Sequence, residues 1–338
     1  MFQNKVEKFN TVLLYRPILI LLLICGFNIF EFNKIFKYLA KLYCIILIIV
    51  TAFATISCCA GQEISQIWSL IEYVSSIIVI LIYKNKFLIF FRKLEEIDTY
   101  LRLNRKNYYL TKKKMFFFTI CTWFVRIFYT AIYCYSYTCY DYMYLYLINQ
   151  FSLLALDISR VWRFIVFDMI RLRLKVLRKR LEETPEWNFY LYVKNNTMIK
   201  DNKIRLCLNL YRHLADILDL ISPMLFASVR FELMPVVTLG FILLHLSQIS
   251  FFLFSPCVVV ELYSMEVENM RLFLMHKLMD ETDEATKQDI ELFLRYTEIR
   301  TFRYKIWRFM PVNLSLPIEL LNLCTTYVVV IINFTHLY

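Results

Sequence analysis

Long runs of apolar residues, separated by short polar stretches, recur along the chain. A helix that crosses a bilayer needs about 20 predominantly apolar residues. Six runs approach that length with few charged residues: 42–62, 67–83, 115–140, 142–167, 233–260 and 311–334. A seventh and weaker run, 214–232, carries Asp216 and Asp219 near its start. The pattern predicts an all-α, polytopic membrane protein with these runs as its helices.

The connections between these runs alternate in their content of lysine and arginine. Residues 84–114 contain ten basic residues, 171–213 contain eleven and 266–308 contain eight. The alternate connections contain almost none: residues 61–66 and 136–142 have no basic residue, and residues 230–235 have only Arg230. Because basic loops stay on the cytoplasmic side, this alternation requires the weak run to cross as well. We therefore predict seven transmembrane helices, a cytoplasmic amino terminus and an extracellular carboxyl terminus.

An earlier apolar segment, "RPILILLLICGFNIF" from Arg16, precedes the first run. It resembles the core of a signal peptide, but no cleavage site of small residues follows at the usual distance. If it spanned the membrane, the three lysines between residues 34 and 41 would lie outside. We predict an interfacial or re-entrant helix within a cytoplasmic amino-terminal region, 1–41.

Four regions then follow from the spans. After 1–41, residues 42–262 hold the first six spans with cytoplasmic extensions at 84–114 and 171–213. Residues 263–310 form a cytoplasmic segment, and 311–338 form the last span and a short extracellular tail. Leucines in 171–213 and in 286–308 recur at helical spacing. These segments are either helices on the membrane surface or extensions that pack into an assembly domain.

Composition and charge agree with this picture. The chain is 59% hydrophobic and 17% aromatic, with only three glycines in 338 residues, so a soluble domain is excluded. The net charge of +11 is concentrated in alternate loops and is explained by topology, so we expect no nucleic-acid partner. Most of the ten cysteines lie in apolar runs without paired spacing, as small apolar residues do.

No pattern of catalytic or metal-binding residues is present. The four histidines (His213, His245, His276 and His336) are scattered, and no pair has metal-ligand spacing. Three glycines cannot form a phosphate-binding loop, and there is no nucleophile elbow. We expect a protein that is not an enzyme, with no catalytic residue, no metal and no cofactor.

Several charged residues lie inside predicted spans, where a charge is costly and usually faces protein or water. Arg126 lies near the middle of the third span, with Glu72 on the second and Asp157 on the fourth at a similar depth. We favour an ion pair of Arg126 with one of the two acids. A part in ligand binding or ion passage is the other interpretation.

Tyrosines crowd the predicted outer ends of the third and fourth spans. Tyr129, Tyr133, Tyr137 and Tyr140 follow helical spacing and share one face. They form either an aromatic belt at the membrane interface or, together with Trp68, an outward-opening pocket for a small, partly apolar ligand.

The last span carries a polar stripe. At about 100° per residue, Asn322, Thr326, Val329, Asn333 and His336 fall within an arc of roughly 80°. Small polar residues of this kind pack helices together or face water in a pore whose apolar residue forms a constriction. A pore requires several subunits around an axis, because one helix cannot enclose it.

The same residues carry a resemblance to a family. Thr326, Tyr327, five apolar residues, Asn333 and Phe334 resemble the carboxyl-terminal signature of insect gustatory receptors, in which glutamine stands at the position of Asn333. The stretch "LFLRYTEIRTFRYKIWRFMPVNLSLPIELL" before it is also similar to that family, as are the seven spans and the long basic segment after the fourth.

The resemblance implies a chemosensory receptor of the plasma membrane, related to insect odorant receptors and working as a ligand-gated, non-selective cation channel. It implies a homo- or heterotetramer that detects a small-molecule tastant or pheromone, with membrane lipid as its surroundings. Carried over by position, Thr326, Val329, Ile332 and Asn333 are pore or gate residues, with Asn322 on the same stripe.

Two other classes of protein share the seven spans or the membrane location. A G-protein-coupled receptor requires an extracellular amino terminus, which the loop charges oppose. A transporter predicts internal repeats and helices broken by glycine or proline, and the sequence shows neither.

Overall fold

The computed structural model describes residues 11–28, 34–58, 64–101, 103, 105–137, 143–183, 190–192, 198–200, 203–225, 239–300, 302, 305–306 and 310–335. Within these ranges the helices are α1 (Thr11–Ile24), α2 (Lys34–Cys58), α3 (Ile64–Leu101), α4 (Arg105–Tyr137), α5 (Met143–Glu182), α6 (Lys203–Leu225), α7 (Leu239–Asp280), α8 (Glu284–Ile299) and α9 (Ser315–Thr335). The predicted helical class is confirmed for this part of the chain.

Two short antiparallel strand pairs lie in the connections between helices. Strands β1 (Tyr190–Tyr192) and β2 (Met198–Lys200) pair between α5 and α6, with Leu191 opposite Ile199. Strands β3 (Lys305–Ile306) and β4 (Met310–Pro311) pair between α8 and α9, with Ile306 opposite Met310. The helical interpretation of 286–308 therefore holds only as far as Ile299, where α8 ends.

Every predicted span overlaps one of these helices. Among the described residues, Tyr38–Ser57 in α2 and Ser69–Leu101 in α3 are long and apolar enough to cross a bilayer. The other five predicted spans overlap α4, α5, α6, α7 and α9. The count of seven spans and the orientation of the termini stay predictions.

Three helices are much longer than a membrane is thick. Helices α3, α5 and α7 contain 38, 40 and 42 residues. At 1.5 Å per residue they extend about 57–63 Å, roughly twice the hydrocarbon thickness. The basic residues of 84–101 and 171–182 therefore belong to the same helices as the predicted spans. This favours extensions of the spans over separate surface helices.

Helix α1 is short and ends on a glycine. Its 14 residues extend about 21 Å, too little to cross a bilayer. Gly26 adopts a φ of 89°, and the N–H of Phe27 donates to the carbonyl of Leu22 over 2.8 Å. The N–H of Gly26 donates to the carbonyl of Leu23, which completes a Schellman motif. Glycine is required because a side chain at that φ is strained.

The carboxyl end of α1 is held by side chains of α2 and α3. Tyr43 on α2 donates to the carbonyl of Ile24 over 2.6 Å, and Tyr73 on α3 donates to that of Cys25 over 2.9 Å. A Cβ at Gly26 would lie 3.1 Å from the hydroxyl oxygen of Tyr73. Since helix ends leave carbonyls unpaired, these bonds let α1 end among other helices rather than in water.

The chain divides into two compact units. Unit 1 comprises Met1–Ile165 and Ile217–Ile242, and unit 2 comprises Val166–Asp216 and Leu243–Tyr338. In unit 1, α1, α3 and α5 meet at the buried indole of Trp162. Its ring centroid lies 5.7 Å from that of Phe87 and 6.4 Å from that of Tyr15.

Unit 2 is centred on buried aromatic rings of α6, α7 and α8. The ring of Tyr211 lies 5.7 Å from Phe293 and 4.8 Å from Phe302, which also contacts Tyr263 at 6.1 Å. Burial raises the pKa of Tyr211, so its hydroxyl stays protonated and donates to the carbonyl of Arg300 over 3.1 Å.

Ion pairs between different elements surround this centre of unit 2. Arg178 on α5 contacts Glu266 on α7 over 2.7 Å. Arg205 on α6 contacts Asp289 on α8 over 2.9 Å, and Arg271 on α7 contacts Glu298 on α8 over 3.0 Å. Arg300 also pairs with Asp216 on α6. Partly exposed pairs of this kind each contribute little to stability.

Candidate functional site

Helix α4 places a buried arginine among apolar residues. Arg126 is 4% exposed, whereas Trp123, Phe124 and Phe128 on the same helix are exposed. The hydroxyl of Thr130 donates to the carbonyl of Arg126 over 2.8 Å, so this polar side chain is satisfied within the helix. The only charged residue in the apolar part of α4 therefore points away from the surface that its aromatic residues form.

Four charged side chains from α3, α4 and α5 form a network around Arg126. Arg126 Nε lies 3.0 Å from Asp157 Oδ2 on α5, and its Nη2 contacts the same oxygen. Arg160 Nη1 lies 3.2 Å from the other oxygen, Asp157 Oδ1. Arg160 Nη2 lies 3.2 and 3.3 Å from the two carboxylate oxygens of Glu72 on α3. The carboxylate of Asp157 thus bridges both arginines.

The network suits a site from which water is excluded. Asp157 is fully buried, and Glu72 is 7% exposed. The two arginines and two carboxylates sum to zero formal charge, so no net charge from these four side chains is buried. Removing one partner of a buried pair leaves an uncompensated charge, which costs about 3–5 kcal/mol. The network therefore fixes the relative positions of α3, α4 and α5 within unit 1.

The sequence predicted one ion pair, between Arg126 and either Glu72 or Asp157, and the structure contains a larger network. The structure brings Arg126 to Asp157, while Glu72 contacts Arg160. Arg160 was not among the candidates, although it follows Asp157 by three residues, the spacing of neighbours on a helix face. The signal was present in the sequence. Only the rotation of α3 and α5 decides which acid meets which arginine.

A cavity of about 380 Å³ opens between α4 and α5 next to this network. Its walls are Arg126, Ile127, Thr130 and Ala131 of α4 and Leu147, Gln150, Phe151 and Leu154 of α5. The lining is mainly apolar, and the volume is that of a site for a small organic molecule. Gln150 is 7% exposed, and its Oε1 has no hydrogen-bond partner among the described residues. A buried amide in that state can meet a donor on a bound molecule.

The side chains of the predicted aromatic pocket lie outside the described part of the chain. Trp68 belongs to α3, and Tyr129, Tyr133 and Tyr137 belong to α4, but the positions of their side chains are not described. Tyr140 follows the end of α4 and is likewise outside the described residues. The pocket of tyrosines stays a prediction. The cavity found in unit 1 uses other residues, Thr130 and Gln150 among them, which the sequence did not single out.

Helix α9 begins at a capped turn. The N–H of Leu316 donates to Asn313 Oδ1 over 3.1 Å, which satisfies a free N–H of the first turn. The helix starts at Ser315, four residues after the predicted start of the span. The predicted start, Pro311, instead pairs in strand β4. Glu319, the only charged residue of α9, is exposed.

The polar stripe of α9 is exposed in the isolated chain. Asn322 and Thr326 are exposed, and Val329 is 50% exposed. The Thr326 hydroxyl donates to the carbonyl of Asn322 over 2.8 Å, so its oxygen presents only lone pairs outward. Such an oxygen accepts hydrogen bonds from water. Ile332 and Asn333 belong to α9, and their side chains lie outside the described part.

Within the described ranges, no group of three or more histidine, cysteine, aspartate or glutamate side chains is placed to hold a metal ion. Cys25, Cys44, Cys121, Cys207 and Cys257 are free thiols. Burial raises the pKa of the Cys207 thiol to about 12, so it remains protonated at neutral pH.

Comparison with known proteins identifies the fold. No protein-family model matches the chain, and no curated protein matches it. The chain is similar to the solved structure of the insect olfactory receptor OR5 from Machilis hrabei in complex with eugenol. The TM-score is 0.57 at 14% sequence identity, over 95% of this chain and 97% of that chain. The chain therefore shares its fold with an insect olfactory receptor over nearly its whole length.

Proposed function

We propose that this chain is a subunit of a ligand-gated, non-selective cation channel in the plasma membrane, serving taste or contact-chemical detection in an insect. The exposed polar stripe of α9 carries the proposal, since Asn322, Thr326 and Val329 lie uncovered on an otherwise apolar helix. The fold shared with an insect olfactory receptor supports a chemosensory role. The terminal motif from Thr326 to Phe334 supports the gustatory class.

The pore in this proposal is formed by α9 helices of several subunits, most simply four. Thr326 and Asn322 supply polar rings that hold water, while Val329 supplies an apolar ring one turn farther along. Ile332 and Asn333 continue the pore toward the carboxyl end of the helix. A constriction of Val329 side chains dewets when the helices are close and admits water and cations when they separate.

The ligand in this proposal is a small, mostly apolar molecule. The apolar cavity between α4 and α5 fits that class, and the similar olfactory receptor was solved with eugenol. A ligand opens the channel only to the extent that it binds the open state more tightly than the closed state. The cavity borders Arg126, so the ion network couples a filled cavity to the positions of α3 and α5.

Current recording in a heterologous cell tests the proposal. The chain is expressed alone and with candidate partner subunits, and sugars, bitter compounds, carbon dioxide and lipid-like pheromones are applied. We expect a ligand-dependent cation current whose selectivity changes in Asn333→Ala and in Thr326→Val. Leu323→Ala is the matched control, because Leu323 is exposed on α9 about 100° from Asn322. Delivery to the cell surface without current for any partner or ligand would contradict the proposal.

Glycosylation mapping separates the channel from a G-protein-coupled receptor. Asn195 lies in an N-x-T sequon within the basic segment after the fourth span. In the proposed topology this segment is cytoplasmic, so Asn195 remains unmodified in a cell that glycosylates secreted proteins. Glycosylation of Asn195 would place this segment outside the cell, which contradicts the proposed topology and favours a G-protein-coupled receptor.

A further inference from the structure

The cavity between α4 and α5 has an exposed rim and a buried inner wall. Ile127 of α4 and Leu147 of α5 line it from the two helices, and they are 60% and 46% exposed. Arg126 and Gln150 also line it, and both are buried. The cavity is therefore a groove whose mouth, between Ile127 and Leu147, lies at the surface of unit 1.

The surface around this mouth is apolar. On α4, Ile120, Phe124 and Phe128 are exposed within two turns of Ile127. Among the residues described on the cavity wall, Arg126 is the one that carries a charge, and it is buried. An exposed apolar patch of this kind marks a surface that contacts membrane or another protein. On a helix predicted to span the bilayer, we expect it to contact acyl chains.

The position of the mouth along the predicted spans places it inside the hydrocarbon. Ile127 lies twelve residues after the start of the predicted third span, 115–140, and thirteen before its end. These separations are about 18 and 20 Å along the helix, whereas the hydrocarbon is about 30 Å thick in total. Leu147 lies five residues inside the predicted fourth span, 142–167. The mouth therefore extends from the middle of the bilayer toward its predicted outer side.

The inner wall of the cavity is backed by the ion network. Arg126 contacts Asp157, and Asp157 also contacts Arg160. Separating such a pair leaves a buried charge without its partner, which an apolar molecule cannot replace. A ligand of the proposed class therefore does not pass through this side of the cavity.

We propose that the ligand enters this cavity from the hydrocarbon of the bilayer, and that the ligand class is uncharged apolar molecules that dissolve in membranes. The inference rests on the proposed function, because it takes this cavity as the ligand site. Sugars stay in water and do not reach the mouth. Alcohols with long alkyl chains accumulate around it, and each added methylene raises that accumulation about fourfold.

Photolabelling of the purified full-length chain in vesicles tests this route. The vesicles contain a phosphatidylcholine with a diazirine at the end of one acyl chain, so the reactive group cannot leave the bilayer. After irradiation, mass spectrometry locates the modified residues. We expect modification of Gln150 on the inner wall as well as of the surface residues Phe124 and Phe128. Added octanol is expected to remove the modification of Gln150 and to leave that of the surface, and nonanol to do so at about a fourfold lower aqueous concentration.

Two exposed isoleucines of α4 provide a matched pair of variants. Ile120 and Ile127 are seven residues apart and so share one face of the helix, but Ile120 is not among the residues described on the cavity wall. Ile127→Trp narrows the mouth, and we expect it to abolish the modification of Gln150. Ile120→Trp is expected to retain that modification. In both variants the added indole should be quenched by lipids brominated on their acyl chains and not by iodide in water.

The natural chain alone decides the question if Ile127→Trp does not fold. The proposal is overturned if the lipid-borne diazirine modifies only the surface residues, or if octanol does not protect Gln150. It is also overturned if the two variants lose the modification of Gln150 equally, or if iodide quenches the indole of Ile127→Trp. A chain that conducts no current but is modified at Gln150 from the lipid refutes the proposed channel and leaves this route standing. A ligand-gated current from a chain that is never modified at Gln150 from the lipid refutes the route and leaves the channel.

Discussion

Helices α2 and α8 differ in which residues they expose: α2 exposes apolar side chains, and α8 exposes polar ones. On α2 the exposed residues are mainly apolar (Ile45, Ile46, Ile49, Phe53 and Ile56), while Thr51 and Thr55 are buried. On α8 the exposed residues are mainly polar or charged (Glu284, Gln288, Glu291, Arg295 and Glu298), while Ile290 and Phe293 are buried. The two helices are therefore built for two solvents, hydrocarbon around α2 and water around α8.

The two units also differ in how far their ion pairs are buried. In unit 1 the network of Arg126, Asp157, Arg160 and Glu72 is buried, because a charge that faces acyl chains has no partner. In unit 2 the pairs of Arg271 with Glu298 and of Arg205 with Asp289 are partly exposed. Buried aromatic rings pack the helices of both units, and in unit 1 a buried network of four charged side chains is added to them.

The largest effect is expected for Asp157→Asn. It leaves Arg126 and Arg160 without the carboxylate that bridges them, and losing one partner of a buried pair costs about 3–5 kcal/mol. We expect the unfolding midpoint of the purified chain in detergent to fall clearly, as measured by differential scanning fluorimetry. Surface expression should fall with it.

A double variant shows that the loss comes from an unpaired charge. Arg126→Met with Asp157→Leu replaces the pair by apolar residues, which is often neutral for stability, and leaves Arg160 with Glu72. We expect the double variant to be more stable than Asp157→Asn alone. If both are equally unstable, the network does not hold unit 1 in the way described.

In unit 2 the comparable loss is expected for Phe293→Ala. Phe293 is fully buried, and removing a buried phenylalanine side chain costs about 3–5 kcal/mol. The matched control is Phe53→Ala on α2, since Phe53 is 66% exposed. We expect the thermal midpoint to fall for Phe293→Ala and to change little for Phe53→Ala. Equal falls would mean that Phe53 is covered in the assembled protein.

The positions of the helices followed from the sequence because hydrocarbon demands long apolar runs. The residues at which α3 and α5 end could not be predicted in the same way. Beyond the span, a helix is indicated by the spacing of its buried residues and no longer by high hydropathy. Phe87, Phe90, Phe91 and Leu94 are buried at helical spacing after the predicted end of the second span. The short strand pairs carry no period to detect, since each strand has two or three residues.

The candidate site was predicted only where a residue stands out from its surroundings. Arg126, Asp157 and Glu72 are charges in apolar runs, and all three belong to the buried network. Thr130 and Gln150 were missed because uncharged polar residues are frequent in such runs. Pairing Glu72 with Arg160 depends on the rotation of two helices, which no spacing in the sequence specifies.

A smaller effect tests the two solvents directly. Ile49 lies near the middle of Tyr38–Ser57 and is 61% exposed. Ile49→Lys therefore places a charge in hydrocarbon, which costs about 3–4 kcal/mol of insertion free energy. Leu292→Lys on α8 is the control, because Leu292 is 47% exposed on a face that already carries charges. We expect Ile49→Lys to lower membrane insertion in microsomes and Leu292→Lys to leave it unchanged. Equal insertion of both would remove the distinction between the helices.

The smallest effect concerns the start of α8, where an exposed carboxylate caps the helix. Asp283 accepts hydrogen bonds from the hydroxyl and the N–H of Thr286, and these bonds lower the pKa of its carboxyl. Because the pKa of this carboxyl is lower in the folded than in the unfolded state, the ionised carboxylate stabilises the helix. The stabilisation is complete at a pH above the unfolded pKa and is lost as the pH falls through the folded pKa. Asp283→Asn keeps a capping oxygen without the charge. We expect hydrogen exchange at the first turn of α8 to be slower in the natural chain than in Asp283→Asn at neutral pH, with the difference disappearing in acid. A difference that persists after the carboxyl is protonated would mean that its charge does not stabilise this end of the helix.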